Sequence, residues 1–147
     1  MGDLDDGPDQ VPLDEHDVEH AIRALVPSIH FDLILTHNPL GEYTKHLRHE
    51  EISRAVIALW RLGKISADEL RIFAYEDENK KHFPLAIKKA SIFKSLSKRI
   101  WQKKYAIITN VYGFDKDSWE ANTTPKEEAF WKFTNPIDAN HWLEING

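Results

Sequence analysis

Residues 31–63 read FDLILTHNPLGEYTKHLRHEEISRAVIALWRLG, and the order of hydrophobic periods along them decides the fold. Phe31-Asp-Leu-Ile-Leu-Thr36 is short and mostly apolar, the composition of a strand covered on both faces in a parallel sheet. Ile52, Val56, Leu59 and Trp60 then recur at the helical period, with Thr44 placed to cap that helix and Gly63 to end it. Leu70-Arg-Ile-Phe-Ala-Tyr75 reads as the next strand. Strand, helix and strand in this order make a βαβ unit, so the expected class is α/β, a Rossmann-like αβα layer with a parallel sheet. Its strands are expected at 31–36 and 70–75, with the helix over 46–62 between them.

Working outward, Asp14 is a good N-cap, and Val18, Ile22 and Leu25 keep the helical period until Pro27 stops it. Residues 1–13, acidic and holding Gly7, Pro8 and Pro12, form a lead-in loop. Downstream, Ser66-Ala-Asp-Glu69 has the spacing of a capping box and predicts one short helical turn. Residues 76–90, rich in Lys and Asp/Glu, are expected to be an exposed loop. Ile100, Trp101, Tyr105, Ile108 and Val111 predict a third helix between Ser97 and Tyr112, closed by Gly113. Thr124-Pro125-Lys126-Glu127 joins a capping box to a proline at the first helical position, predicting a helix that carries Phe130, Trp131 and Phe133. Trp60 and Trp101 lie on apolar stripes and are assigned to the core, and Trp119 and Trp131 to packing.

At 147 residues, 41% of them hydrophobic, the chain has the size of one domain. A net charge of −5 makes no broad electrostatic case for nucleic acid or anionic lipid, so no nucleic-acid partner is expected. The absence of cysteine excludes disulfides and thiol chemistry, and a reducing cytoplasm is the default compartment. No run approaches the ~20 apolar residues of a membrane span.

The polar loop between strand and helix concentrates the chemistry. At ~100° per residue, His49 falls about 60° from Ile52, inside the apolar arc, and His46 about 60° further round. One imidazole therefore points inward and the other toward the rim, beyond the carboxyl end of a strand, where open α/β sheets place their ligand crevices. A neutral imidazole there suits zinc, and a second one suits proton transfer or oxyanion stabilisation. Core-edge histidines satisfied by backbone carbonyls have the same H-x-x-H spacing. His37 at the strand end, and Glu42 and Tyr43 in the loop, are further residues that can face the same pocket.

FDLILTHNPLGEYTKHLRHEEISRAV resembles a block of the PIG-L/LmbE family of zinc-dependent N-deacetylases, with its strand, TH-x-P-x-GEY loop and H-x-x-H helix start. GDLDDGPDQVPL and residues 100–133 are similar to flanking segments of one branch, so the resemblance spans nearly all of residues 1–147. It implies that His49 ligates zinc, that His46 assists catalysis at the tetrahedral stage, and that Tyr43 stands at the pocket mouth. His37, Asn38 and Glu42 are then expected to contact substrate. The implied activity is removal of an N-acetyl group from an N-acetylglucosaminyl-type conjugate, by water that zinc and a carboxylate activate.

Lys45 between Thr44 and His46, and Leu47-Arg48 where many members have Pro-Asp, depart from the family pattern. The family's other two zinc ligands and its base come from an amino-terminal A-H-P-D-D-E motif, and this sequence has none; Asp5-Asp6 is its only Asp-Asp pair. The resemblance thus implies a domain truncated at its amino terminus, inactive alone, with a separate amino-terminal half as a possible partner. On this reading no acid of the chain completes a zinc shell around His49. A non-catalytic carbohydrate-binding module and a structural α/β domain with contacts through its tryptophans are the alternatives.

Overall fold

Asp14 accepts a hydrogen bond from the His16 N–H at 2.9 Å and starts α1 (Glu15–Leu25), as its cap position predicts. The computed structural model describes residues 4, 7, 9, 11–42, 46–78 and 81–146. After α1 come β1 (His30–Phe31), β2 (Ile34–Thr36), α2 (Leu47–Arg61), β3 (Ser66–Ala67) and β4 (Leu70–Phe73). Then follow β5 (Tyr75–Glu76), β6 (Leu85–Ala86), β7 (Ile92–Ser95) and α3 (Lys98–Ala106), which runs on as a π-helical turn over Ile107–Val111. The chain closes with α4 (Trp119–Asn122), β8 (Glu127–Phe133) and α5 (Pro136–Asn146).

The unit expected from residues 31–75 is present. β1 pairs with β3 and β2 with β4, both parallel and in one continuing register from His30↔Ser66 to Thr36↔Ile72. The segment between the pairs is stitched by Asp68 N–H to Phe31 O at 3.0 Å and Ile34 N–H to Glu69 O at 2.9 Å. α2 crosses between the two strands and ends where Gly63, at φ 65°, turns the chain out of the helix. Lys64 N–H reaches Leu59 O and Gly63 N–H reaches Trp60 O, the paired bonds of a Schellman cap. Val56, Ile57, Leu59 and Trp60 of α2 form the core with Leu70 and Ile72 of β4 and Ala139 of α5. Trp131, Phe133, Trp142 and Leu143 pack against that cluster.

The class is α/β, but the sheet is mixed rather than parallel throughout, with order β2-β4-β8-β7 and β8 antiparallel to both neighbours. The helix expected to begin at Thr124 is instead β8. The Thr124 hydroxyl donates to Glu120 O at 2.9 Å, closing α4, and residues 127–133 alternate faces between two strands that take up their backbone groups. The helical turn expected over 66–69 is absent as well: Ser66–Ala67 form β3, and residues 68–69 link it to β4. Ser66 Oγ lies 2.7 Å from His30 Nδ1 and Glu69 bonds to Arg71 and Lys132, so neither half of the capping box forms. Residues 76–90 are not loop throughout, because Glu76 pairs with Leu85 in the β5/β6 ribbon. Trp60 is buried and Trp131 packs on the core, whereas Trp101 is half-buried and Trp119 is 42% exposed, edge-on to Phe83. Neither Trp101 nor Trp119 belongs to the core cluster.

The lead-in segment does lie against something. The buried Arg48 guanidinium donates to Glu51 and to Val11 O at 2.7 Å, and Leu13 N–H donates to Glu51 at 2.9 Å, strapping residues 11–13 across the first turns of α2.

Arg71 and Lys132 face each other directly across β4 and β8, a like-charge pair that would repel. Glu69 resolves it, with Lys132 Nζ at 2.6 Å and Arg71 Nε also on its carboxylate. The Lys132 ammonium, seconded by Arg71 and opposed by burial, holds the Glu69 carboxyl below its ordinary value of 4.5. A depressed carboxyl pKa adds stability that is full above the unfolded value and is lost as pH falls through the folded one. Glu69→Gln should therefore lower the melting temperature at neutral pH. The gap to wild type should close on acidification below 4.5, as a pH series of thermal melts would read.

Candidate metal centre

The chain leaves β2 at the buried Thr36 and turns at once, and four hydrogen bonds fix that turn. Asn38 Nδ2 donates to Phe73 O at 2.9 Å, joining the loop to the end of β4, and Asn38 Oδ1 accepts from Leu40 N–H at 2.9 Å. Gly41 N–H closes on Asn38 O at 3.0 Å, and the fully buried Ser53 donates from Oγ to His37 O at 2.6 Å. Arg54 adds a bond to Pro39 O at 3.1 Å. Gly41 sits at φ 88°, a conformation that opposes any Cβ.

The turn folds Glu42 back onto His37. The Glu42 side chain is 3% exposed, with Oε1 2.5 Å from His37 Nδ1 and 3.6 Å from His49 Nδ1. The His37 and His49 rings stack at 3.7 Å between centroids and 6° between planes. His46, the N-cap of α2, stands next to them with its ring centroid 4.7 Å from that of His49. One donor atom each from His37, Glu42 and His49 lies within 4.8 Å of the others.

These residues fit a divalent cation. The Oε2 atom of Glu42 is buried and has no hydrogen-bond partner among the described residues. A buried carboxylate oxygen left in that state is costly, and a cation is the partner that relieves it. Two imidazoles and one carboxylate are also a donor set of catalytic zinc sites, which keep a fourth position open.

The sequence placed His37 and Glu42 in the same pocket as substrate contacts and expected no acid of the chain to complete a zinc shell around His49. The structure brings both of them to His49, at the end of the parallel pair where the crevice was expected. His46 stands adjacent, as expected. Asn38 has both ends of its amide engaged by backbone, so its visible work is to hold the turn. Tyr43 lies outside the described residues. The grouping of His37 with Glu42 was legible in principle, because a tight turn over Asn38-Pro-Leu-Gly41 brings the residues on either side of it together.

No family model, curated protein or solved structure matches the chain. The family resemblance accordingly rests on the quoted residues alone.

If Gly41 sets the position of Glu42, a side chain at 41 should disturb fold and cluster together. Gly41→Ala is expected to cost about 1–2 kcal/mol, and Gly41→Asn less, because asparagine tolerates positive φ better. Chemical denaturation of the three proteins checks the order.

Proposed function

We infer that this chain binds a divalent cation, zinc by preference, through His37, Glu42 and His49, and that it serves the hydrolysis of an N-acetyl group on an N-acetylglucosaminyl-type conjugate. The observation that carries the metal assignment is the buried Glu42 carboxylate held against two imidazoles with one oxygen unsatisfied. The choice of reaction and substrate rests on the resemblance to PIG-L/LmbE deacetylases. The Rossmann-like layer belongs to the same reading, supported by the parallel β2/β4 pair with α2 crossing between them.

A bound zinc ion would supply Lewis acidity toward the acyl oxygen and a water of lowered pKa. The chain's own residues have separable parts. His37, Glu42 and His49 hold the ion, with Ser53 and Asn38 fixing the backbone that presents His37. His46, beside His49 but outside the three, is placed to carry a proton to the departing amine or to stabilise charge on the acyl oxygen. Glu42 cannot be both ligand and free base, and no further acid joins the three ligands among the described residues; on the family resemblance the carboxylate that takes the water's proton is that of the amino-terminal motif. Alone, the chain binds metal without turnover.

Zinc binding should be stoichiometric in competition with a chromophoric chelator. His37→Ala, Glu42→Gln and His49→Ala should each weaken it by more than the roughly 10–100-fold that loss of an outer-shell partner costs. His46→Ala should leave it unchanged. Acetate release from an N-acetylglucosaminyl substrate should be absent for the chain alone and appear on adding the amino-terminal half of a family member, then vanish with His46→Ala. Zinc affinity indifferent to Glu42→Gln would refute the ligand set. Turnover by the chain alone would refute the missing base.

A further inference from the structure

The net charge of −5 conceals a segregation. Residues 79–114 hold nine of the 19 basic residues and none of the 24 acidic ones. At the centre of this segment lie α3 and the π-helical turn that extends it, and neither contains a buried residue. One side of the helix rests on the body. Trp101 donates from Nε1 to Thr124 O at 3.2 Å, Tyr105 stacks on Trp101, and Lys104 pairs with Glu128 at 2.5 Å.

The side turned away from Trp101 and Tyr105 is amphipathic, with Lys104 at its edge tied to Glu128. Ile100, Ile107 and Val111 lie along one stripe, with Val111 76% and the following Tyr112 70% exposed. Arg99 and Lys103 stand exposed along one flank of that stripe, and no ion pair engages them among the described residues. A helix that offers branched aliphatic side chains and an aromatic ring to solvent beside two unpaired cations has two needs at once. It needs a place to bury apolar surface and a source of negative charge.

We propose that the exposed face of Lys98–Tyr112 is a peripheral docking surface for an anionic phospholipid membrane. The stripe of Ile100, Ile107 and Val111 enters the boundary between headgroups and acyl chains, and Arg99 and Lys103 meet the lipid phosphates and carboxylates. Tyr112 takes the interfacial position that aromatic rings favour. A second copy docking through the same face would bring like charges together. A nucleic acid would satisfy the cations but make no use of isoleucine and valine. No helix among the described residues is long and apolar enough to cross a membrane, and this association needs none. It is independent of the metal site, whose residues lie outside 79–114.

The test is sedimentation of the full chain with phosphatidylcholine vesicles, with and without phosphatidylserine, at low and high salt. Binding should require phosphatidylserine and weaken with salt. Each basic residue near an anionic surface contributes roughly fivefold in partition, so the double reversal Arg99→Glu, Lys103→Glu should lower binding at least about 25-fold. Ile107→Asp with Val111→Asp should also lower it, with every cation kept. All four positions are at the surface, so circular dichroism should match wild type. Should a variant fail to fold, Tyr112→Trp supplies a separate readout: its emission should shift to the blue when phosphatidylserine vesicles are added. Equal binding to neutral vesicles, no binding, or no shift from Tyr112→Trp overturns the proposal. Salt-sensitive RNA binding that ignores the Ile107/Val111 pair would assign the surface to nucleic acid and overturn it as well.

Discussion

The parallel pairing of β2 with β4 is the constraint on which the rest of the structure depends. Two parallel strands cannot be joined by a hairpin; they need a crossover, and here the crossover is α2. Laying α2 on the sheet buries Val56, Ile57, Leu59 and Trp60 against Leu70 and Ile72 and so creates the core. The same step starts α2 at the carboxyl end of β2, where the His37–Glu42 turn must meet the first turn of the helix, and carries the chain back to the amino end of β4. The Asn38 bond to Phe73 O and the Ser53 bond to His37 O lock that meeting point to β4 and α2. The candidate metal centre is thus a consequence of the crossover, built where the fold leaves loop and helix end side by side.

Burying the Glu42 carboxylate works against stability unless something answers its charge. His37 answers one oxygen at 2.5 Å, and the other has no hydrogen-bond partner among the described residues. Arg48 and Glu51 show the contrasting case on the same helix: there a buried pair and two backbone groups satisfy one another, and the result straps residues 11–13 in place. In the strap every group has a protein partner. In the Glu42 cluster a coordination position is left over, and that difference separates a structural ion pair from a candidate ligand site.

Much of this was legible in the sequence. Asp14 and Gly63 act through backbone hydrogen bonds within one turn of chain, so local pattern predicts α1 and the end of α2 well. The region after residue 120 was misread because a helix start and a helix end use the same residues. Thr123 and Thr124 donate backward to Trp119 O and Glu120 O, and the aromatic run that follows is held as a strand by partners distant in sequence. α5 carried a signal that was passed over: Asn135 Oδ1 accepts from Ile137 N–H ahead of Pro136, and Ala139, Trp142 and Leu143 follow at helical spacing. At the site, the helix angles found His49 and His46. They could not find Glu42, whose position depends on a turn with Gly41 at φ 88°.

The central claim is that His37, Glu42 and His49 form one metal site within this chain. Anomalous diffraction at the zinc edge, from crystals of the chain grown with zinc, addresses it directly. The account predicts one strong peak bonded to an imidazole nitrogen of His37, a carboxylate oxygen of Glu42 and an imidazole nitrogen of His49, at about 2.0–2.2 Å. A structure whose zinc lies elsewhere, or that keeps the cluster intact with no anomalous peak in it, would contradict the claim.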